Sequence, residues 1–181
     1  MSVDVKIVNV VASVTTFMDI PLDKLAATLS NTEYNPEQFP ALVLRLKPLK
    51  VTALVFSTGK LVCTGAKSEK ILKEGVKEIL AEFKKIGLST NKKPEIKIQN
   101  MVASGNLHMN FNLNTLAFKL DNAEYEPERF PGLVYKVPNS HTSFLIFGTG
   151  KIVVTGAKSV EEVETSVKEL TIKLKKIVKS K

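Results

Sequence analysis

Two stretches of this chain carry the glycines, lysines and hydroxyls that phosphate chemistry uses: FSTGKLVCTGAKS at residues 56–68 and FGTGKIVVTGAKS at residues 147–159. A phosphate-cradling loop of the Walker type needs Gly, four residues, then Gly-Lys-Ser/Thr opening a helix, so that backbone N–H groups surround the phosphates. Here Gly59-Lys60 runs into Leu61 inside an apolar, strand-like run, and Ala66 separates Gly65 from Lys67. The second copy departs in the same way, so nucleotide hydrolysis is not expected at either stretch. His108 and His141 lie on different segments with no cysteine or carboxylate at ligand spacing, which argues against a metal centre. Cys63 alternates with Val62 and Thr64 and reads as a small buried hydrophobe. No Ser-His-Asp arrangement can be assembled. The residues do not call for an enzyme, a metal or a cofactor.

The echo between the two stretches extends much further. Sliding the chain by 91 residues lays KIVNVVAS (6–13) over KIQNMVAS (97–104) and EYNPEQFPALV (33–43) over EYEPERFPGLV (124–134), without an insertion. From Val5 to Ser68, 31 of 64 positions match their counterparts. The chain is therefore read as two repeats, 1–90 and 91–181, related by a pseudo-two-fold axis. A fused pseudo-dimer fits two copies of this length better than a solenoid, whose repeats are shorter and more numerous.

Each half reads as strand, helix, three strands, helix. VKIVNVVASV is β-branched and uninterrupted, as a buried strand requires. PLDKLAATLSN opens on Pro and carries Leu22, Leu25 and Leu29 at helical spacing. PALVLRLK, VTALVFS and KLVCTG are short strands, the last two joined by a tight turn at Thr58-Gly59. Ile71, Leu72, Val76, Ile79, Leu80 and Phe83 form one apolar stripe of an amphipathic helix. Its twin opens on Ser159-Val160-Glu161-Glu162, a capping-box pattern. LSTNKKPE (88–95) reads as the connector. Strands that adjoin in hairpins predict an antiparallel sheet with its helices on one face.

Strand alternation then exposes an excess of apolar surface. Thr52, Leu54 and Phe56 oppose Ala53 and Val55; Val62 and Thr64 oppose Leu61 and Cys63; Asn9, Val11 and Ser13 oppose Val8, Val10 and Ala12. One set packs under the helices. The other holds Val, Leu and Phe with a few Asn and Thr, and recurs as Asn100, Val102, Leu145, Phe147, Val153 and Thr155. An uncovered apolar face of that width marks an interaction surface, unless a second subunit or the short helix covers it; the residues alone leave both open.

Composition bounds the partners. The 181 residues are 44% hydrophobic and 24% charged, with a formal net charge of +8. That charge favours a polyanionic partner. No apolar run approaches the ~20 residues needed to span a bilayer, so no membrane partner is expected. MSVDVKIVNVV lacks a secretory leader's features and the single cysteine suits a reducing compartment.

At EYNPEQFP, TGKLVCTGAKS, IQNMVAS, YEPERFPGLVY and TGKIVVTGAKS the chain resembles the TATA-box-binding protein family in its archaeal form, over essentially its whole length. The resemblance implies an α+β fold: two pseudo-symmetric repeats in one saddle-shaped, curved antiparallel sheet of about ten strands, with helices on the convex face. It implies that Phe39 with Phe56, and Phe130 with Phe147, wedge into base steps of DNA, the established mode of that family. Asn9 and Asn100 match residues whose amides donate into the minor groove, and Thr64 and Thr155 their hydrogen-bonding neighbours. Val11, Leu54, Val62, Val102, Leu145 and Val153 match the apolar floor. Arg45, Lys60, Lys136 and Lys151 match positions beside flanking phosphates. The chain departs from the family pattern at Gln38, Lys136 and Ser143, and its terminal KLKKIVKSK is basic.

The same resemblance implies a non-enzymatic general initiation factor on A/T-rich promoter duplex, without a cofactor. Transcription factor B would then dock, with Glu126 and Glu128 as contacts, and RNA polymerase would follow. It leaves a homodimer off DNA open. Location would be cytoplasmic and nucleoid-associated, or nuclear in a eukaryote. An alternative of another class is a carrier that cups an apolar small ligand or lipid on its curved sheet; that reading requires neither paired phenylalanines nor net positive charge.

Overall fold

A computed structural model describes residues 4–180, and its elements repeat the order strand, helix, four strands, helix. In the first half these are β1 (Asp4–Thr15), α1 (Leu22–Thr28), β2 (Thr32–Glu33), β3 (Leu42–Arg45), β4 (Thr52–Val55), β5 (Lys60–Ala66) and α2 (Glu69–Lys85). In the second they are β6 (Glu95–Asn106), α3 (Leu113–Lys119), β7 (Ala123–Glu124), β8 (Leu133–Lys136), β9 (Ser143–Ile146), β10 (Lys151–Ala157) and α4 (Val160–Lys179). The strand missing from the reading of the residues, β2 and its twin β7, is two residues long. That is too short to show an alternating pattern, and it exists only because Thr32 and Glu33 pair with Leu44 and Val43.

The helices form where the apolar stripes fall. Leu72, Val76, Ile79 and Phe83 of α2 are buried, as are Val163, Val167, Leu170 and Leu174 of α4. The side chain of Ser68 caps α2, its hydroxyl Oγ accepting from the Ile71 N–H at 3.1 Å. Ser159 does the same for α4 with Glu162. The reciprocal half of the expected capping box reaches one residue further back: Glu162 Oε2 accepts from the N–H of Lys158, at 2.9 Å. Pro21 is the N-cap of α1 rather than its first residue, and Leu29 lies just past its end.

The strands hydrogen-bond in the order β2-β3-β4-β5-β1-β6-β10-β9-β8-β7, and the paired neighbours within each half are antiparallel. Two compact units result. One is Asn9–Gln99; the other runs from Asn100 onward and takes in β1 as far as Val8.

In each unit one face of the sheet is closed. Val10, Ala12, Val14, Leu42, Leu44, Ala53, Val55, Leu61 and Cys63 are at most 2% exposed, and α2 packs against β5 on that side. Met101, Ala103, Leu133, Tyr135, Phe144, Ile146, Ile152 and Val154 form the matching layer, with α4 against β10. The alternate residues of the same strands are only half-buried. The short helices do not cover them, since α1 and α3 pack toward the edge strands β2 and β7.

Candidate nucleic-acid interface

On the uncovered face each unit builds one amide clamp. Between Val10 and Ala12 the β1–β5 register slips, so that Thr64 and Gly65 together face Val11. Such a bulge turns backbone groups out of the ladder. The freed N–H of Gly65 donates to Asn9 Oδ1 at 2.7 Å, and Asn9 Nδ2 lies 3.2 Å from Thr64 Oγ1. The second unit repeats this: Gly156 N–H to Asn100 Oδ1 at 2.7 Å, and Asn100 Nδ2 to Thr155 Oγ1 at 3.2 Å, over the same register slip.

A backbone N–H can only donate, so the amide cannot flip. Its oxygen faces the glycine, and its nitrogen faces the threonine with one of two N–H groups, so the nitrogen has the capacity for a second acceptor. The glycines are required here: Gly65 and Gly156 sit at φ +96° and +93°, and a Cβ would lie 2.6 Å and 2.0 Å from the carbonyl oxygens of Lys50 and His141.

Around the clamps the register lays out two rows per unit. An apolar row crosses Val62, Leu54 and Val43, with Ser13 at its start; the second unit has Val153, Leu145 and Val134 behind Ser104. A polar row crosses Thr64, Thr52 and Arg45, answered by Thr155, Ser143 and Lys136. Ser143 thus takes the place Thr52 holds in the first unit. Val11 and Val102 stand opposite the bulges. Val43 and Val134 belong to this surface although they were not singled out from the sequence. Their signal was available: both alternate with buried leucines in short strands and recur at the 91-residue offset.

At the far side of each face two phenylalanines meet. Phe39 and Phe56 approach edge-to-face at 6.4 Å and 68°, and Phe130 and Phe147 at 5.9 Å and 67°. Local turns hold them. The N–H of Phe39 donates to Asn35 O and that of Phe56 to Lys60 O; Phe130 and Phe147 repeat these bonds to Glu126 and Lys151. Phe39 remains 45% exposed and Phe130 40%. Rings of that size left open to water, and braced by one another rather than by a core, are positioned to enter an apolar partner.

The cations are placed unequally. Lys60, Lys136 and Lys151 are exposed. Arg45 is exposed as well but is engaged by Glu33, at 3.2 Å. Glu126 and Glu128 are exposed in the turn before Phe130, and Glu126 pairs with Arg129 at 3.2 Å.

The other reactive groups lie elsewhere. Burial pushes the Cys63 thiol from 9.0 up to about 12. His141 pairs with Glu162 at 2.7 Å and His108 with Asp4 at 3.3 Å. Among the described residues no group of three or more His, Cys, Asp or Glu is gathered as a metal site, and no helix is long and apolar enough to cross a membrane.

A ten-stranded open antiparallel sheet, duplicated in sequence and carrying four helices, is the TBP-like saddle fold. The chain belongs to the family described as transcription factor TFIID, or TATA-binding protein, whose model matches it twice, at residues 4–86 and 95–177. It is similar to the TATA-box-binding protein of Pyrobaculum aerophilum, 48% identical over 172 residues that span 95% of this chain and 86% of that one. The TATA-box-binding protein of Archaeoglobus fulgidus is 48% identical over 173 residues, 94% of each chain. Among solved structures, Methanococcus jannaschii TBP superimposes with a TM-score of 0.89 at 46% identity, over 96% of this chain and 99% of that one.

Proposed function

We propose that this chain is a general transcription initiation factor that binds the minor groove of A/T-rich promoter duplex and kinks it. Phe39 with Phe56 and Phe130 with Phe147 each unstack a base step. The bent complex nucleates preinitiation-complex assembly through transcription factor B, at Glu126 and Glu128, and then RNA polymerase. One observation carries the reading: on a sheet face left open by its own helices, the Gly65 and Gly156 N–H groups hold the side-chain oxygens of Asn9 and Asn100, which fixes each half-buried amide nitrogen as the donor that face can offer.

The chemistry selects the ligand. The minor groove of A·T and T·A pairs offers only acceptors, adenine N3 and thymine O2, whereas G·C adds the guanine amino donor. An amide N–H suits the acceptors. A valine floor gives the guanine amino group no partner, and an unsatisfied buried donor costs roughly 1–3 kcal/mol. TA steps also unstack cheaply, which adds selectivity without contact. No chemical step is involved, so binding, not turnover, is the activity.

Bending of an A/T-rich duplex, followed by energy transfer between its labelled ends, tests this. Phe39→Ala and Phe147→Ala should each reduce the bend, and a G/C-rich duplex should compete at least about tenfold worse, since ~1.4 kcal/mol is a factor of ten. Bending unchanged in both variants would remove the wedge assignment.

A further inference from the structure

The two phenylalanine pairs differ, and so does the residue that faces each of them. Ala41 and Gly132 occupy equivalent places in the repeats, each two residues after the first phenylalanine of its pair. Gly132 needs no special backbone: its φ lies outside the left-handed region. What it provides is space. A Cβ there would fall 2.8 Å from Phe130 Cε1, 3.0 Å from Phe147 Cε1 and 3.2 Å from Phe147 Cζ. Both rings of the pair therefore lean into the volume that a methyl group would fill. In the first repeat that methyl is present, on the buried Ala41, and the ring centroids stand 6.4 Å apart instead of 5.9 Å.

We propose that Gly132 is a positioning residue that closes the second-repeat wedge more tightly than Ala41 allows in the first. The two base steps are then not unstacked equivalently, and the chain prefers one orientation on an A/T-rich site whose ends differ in deformability. This rests on the minor-groove reading above. The atoms in the way of a methyl are ring edges of side chains that reach solvent, so Gly132→Ala is accommodated by swinging the rings apart. The displacement falls on the wedge while the buried layer beneath keeps its packing.

The test uses the full chain and a duplex with an A/T-rich site flanked by a TA step on one side only. Lys24, exposed on α1, is replaced in a Lys24→Cys background and labelled; Cys63 is fully buried and leaves the introduced thiol as the reactive one. Energy transfer to a dye on one duplex end reads orientation, and a dye pair on the two ends reads the bend. The wild-type repeats should favour one orientation.

Gly132→Ala should cut that bias at least about threefold and weaken binding roughly tenfold, within the usual overpacking range. Ala41→Gly should tighten the first pair, and the exchange variant Ala41→Gly with Gly132→Ala should reverse the bias. In a Phe130→Ala, Phe147→Ala background the effect of Gly132→Ala should vanish, because both rings it displaces are gone; a general loss of stability would persist there. Ring-to-ring contacts in the free protein, seen by NMR, should weaken in Gly132→Ala and strengthen for Phe39–Phe56 in Ala41→Gly.

A duplex left unbent by the wild-type chain overturns the minor-groove reading and this inference with it. Normal bending, with an orientation bias that neither Gly132→Ala nor the exchange variant alters, overturns this inference alone.

Discussion

The amide of Asn9 is worth dissecting because a near-isosteric change separates its two roles. Its Oδ1 holds the Gly65 N–H at 2.7 Å, and its Nδ2, 3.2 Å from Thr64 Oγ1, is the donor that the proposed complex uses. Asn9→Asp keeps an acceptor for Gly65 and Thr64 but replaces the donor with negative charge beside a polyanion. Thermal stability should stay within a few degrees, while affinity for an A/T-rich duplex should fall more than about tenfold, a loss of ~1.4 kcal/mol or more. Calorimetry and a binding titration on the same preparation check both.

Cys63 gives a second test at this scale. Its thiol stays protonated in the folded chain up to about 12 but ionises from 9.0 once exposed. Between those values the unfolded chain binds fewer protons than the folded one, so this group lowers stability as pH rises, by up to about 1.4 kcal/mol per pH unit. Cys63→Val, the residue Val154 supplies in the other repeat, should flatten that part of the alkaline decline in urea midpoints, and the native thiol should resist alkylating reagents at neutral pH.

Among the elements, α4 depends on its first turn. Ser159 Oγ accepts the Glu162 N–H at 3.1 Å, and the Glu162 carboxylate ties back to the Lys158 N–H and to His141. Removing the cap with Ser159→Ala should cost ~1 kcal/mol, visible as a lower urea midpoint with an unchanged slope. Ser68→Ala should cost a similar amount at α2, where Ser68 caps Ile71. Neither change touches the uncovered face, so DNA affinity measured well below the unfolding transition should be unaffected.

Electrostatics acts over the whole molecule. A net charge of +8 draws the chain to a polyanion, and each phosphate it neutralises should steepen the salt dependence of log K by about 0.9. Lys136→Ala or Lys151→Ala should therefore reduce that slope by ~1. Arg45→Ala should reduce it less, because Glu33 already engages the guanidinium at 3.2 Å. Glu33→Ala releases Arg45 and should strengthen binding, most clearly at low salt. Titrations at several salt concentrations distinguish these outcomes.

The amino-acid sequence by itself determined what repeats locally or at one fixed offset. The duplication, the alternation that divides Val62 from Cys63, and the stripe from Leu72 to Phe83 all follow from side-chain periods of two and 3.6 residues. Tertiary structure decided what depends on which residues meet. Asn9 and Gly65 come together only through a bulge in the β1–β5 ladder, which orients the amide. Glu33 finds Arg45 because β2, too short to read, pairs with β3. Gly132 looks like a turn residue beside Pro131 until Phe130 and Phe147 are seen leaning into its empty volume. Periodicity is a property of a single strand or helix, whereas these contacts are set by strand register, and register is settled only when distant segments pack.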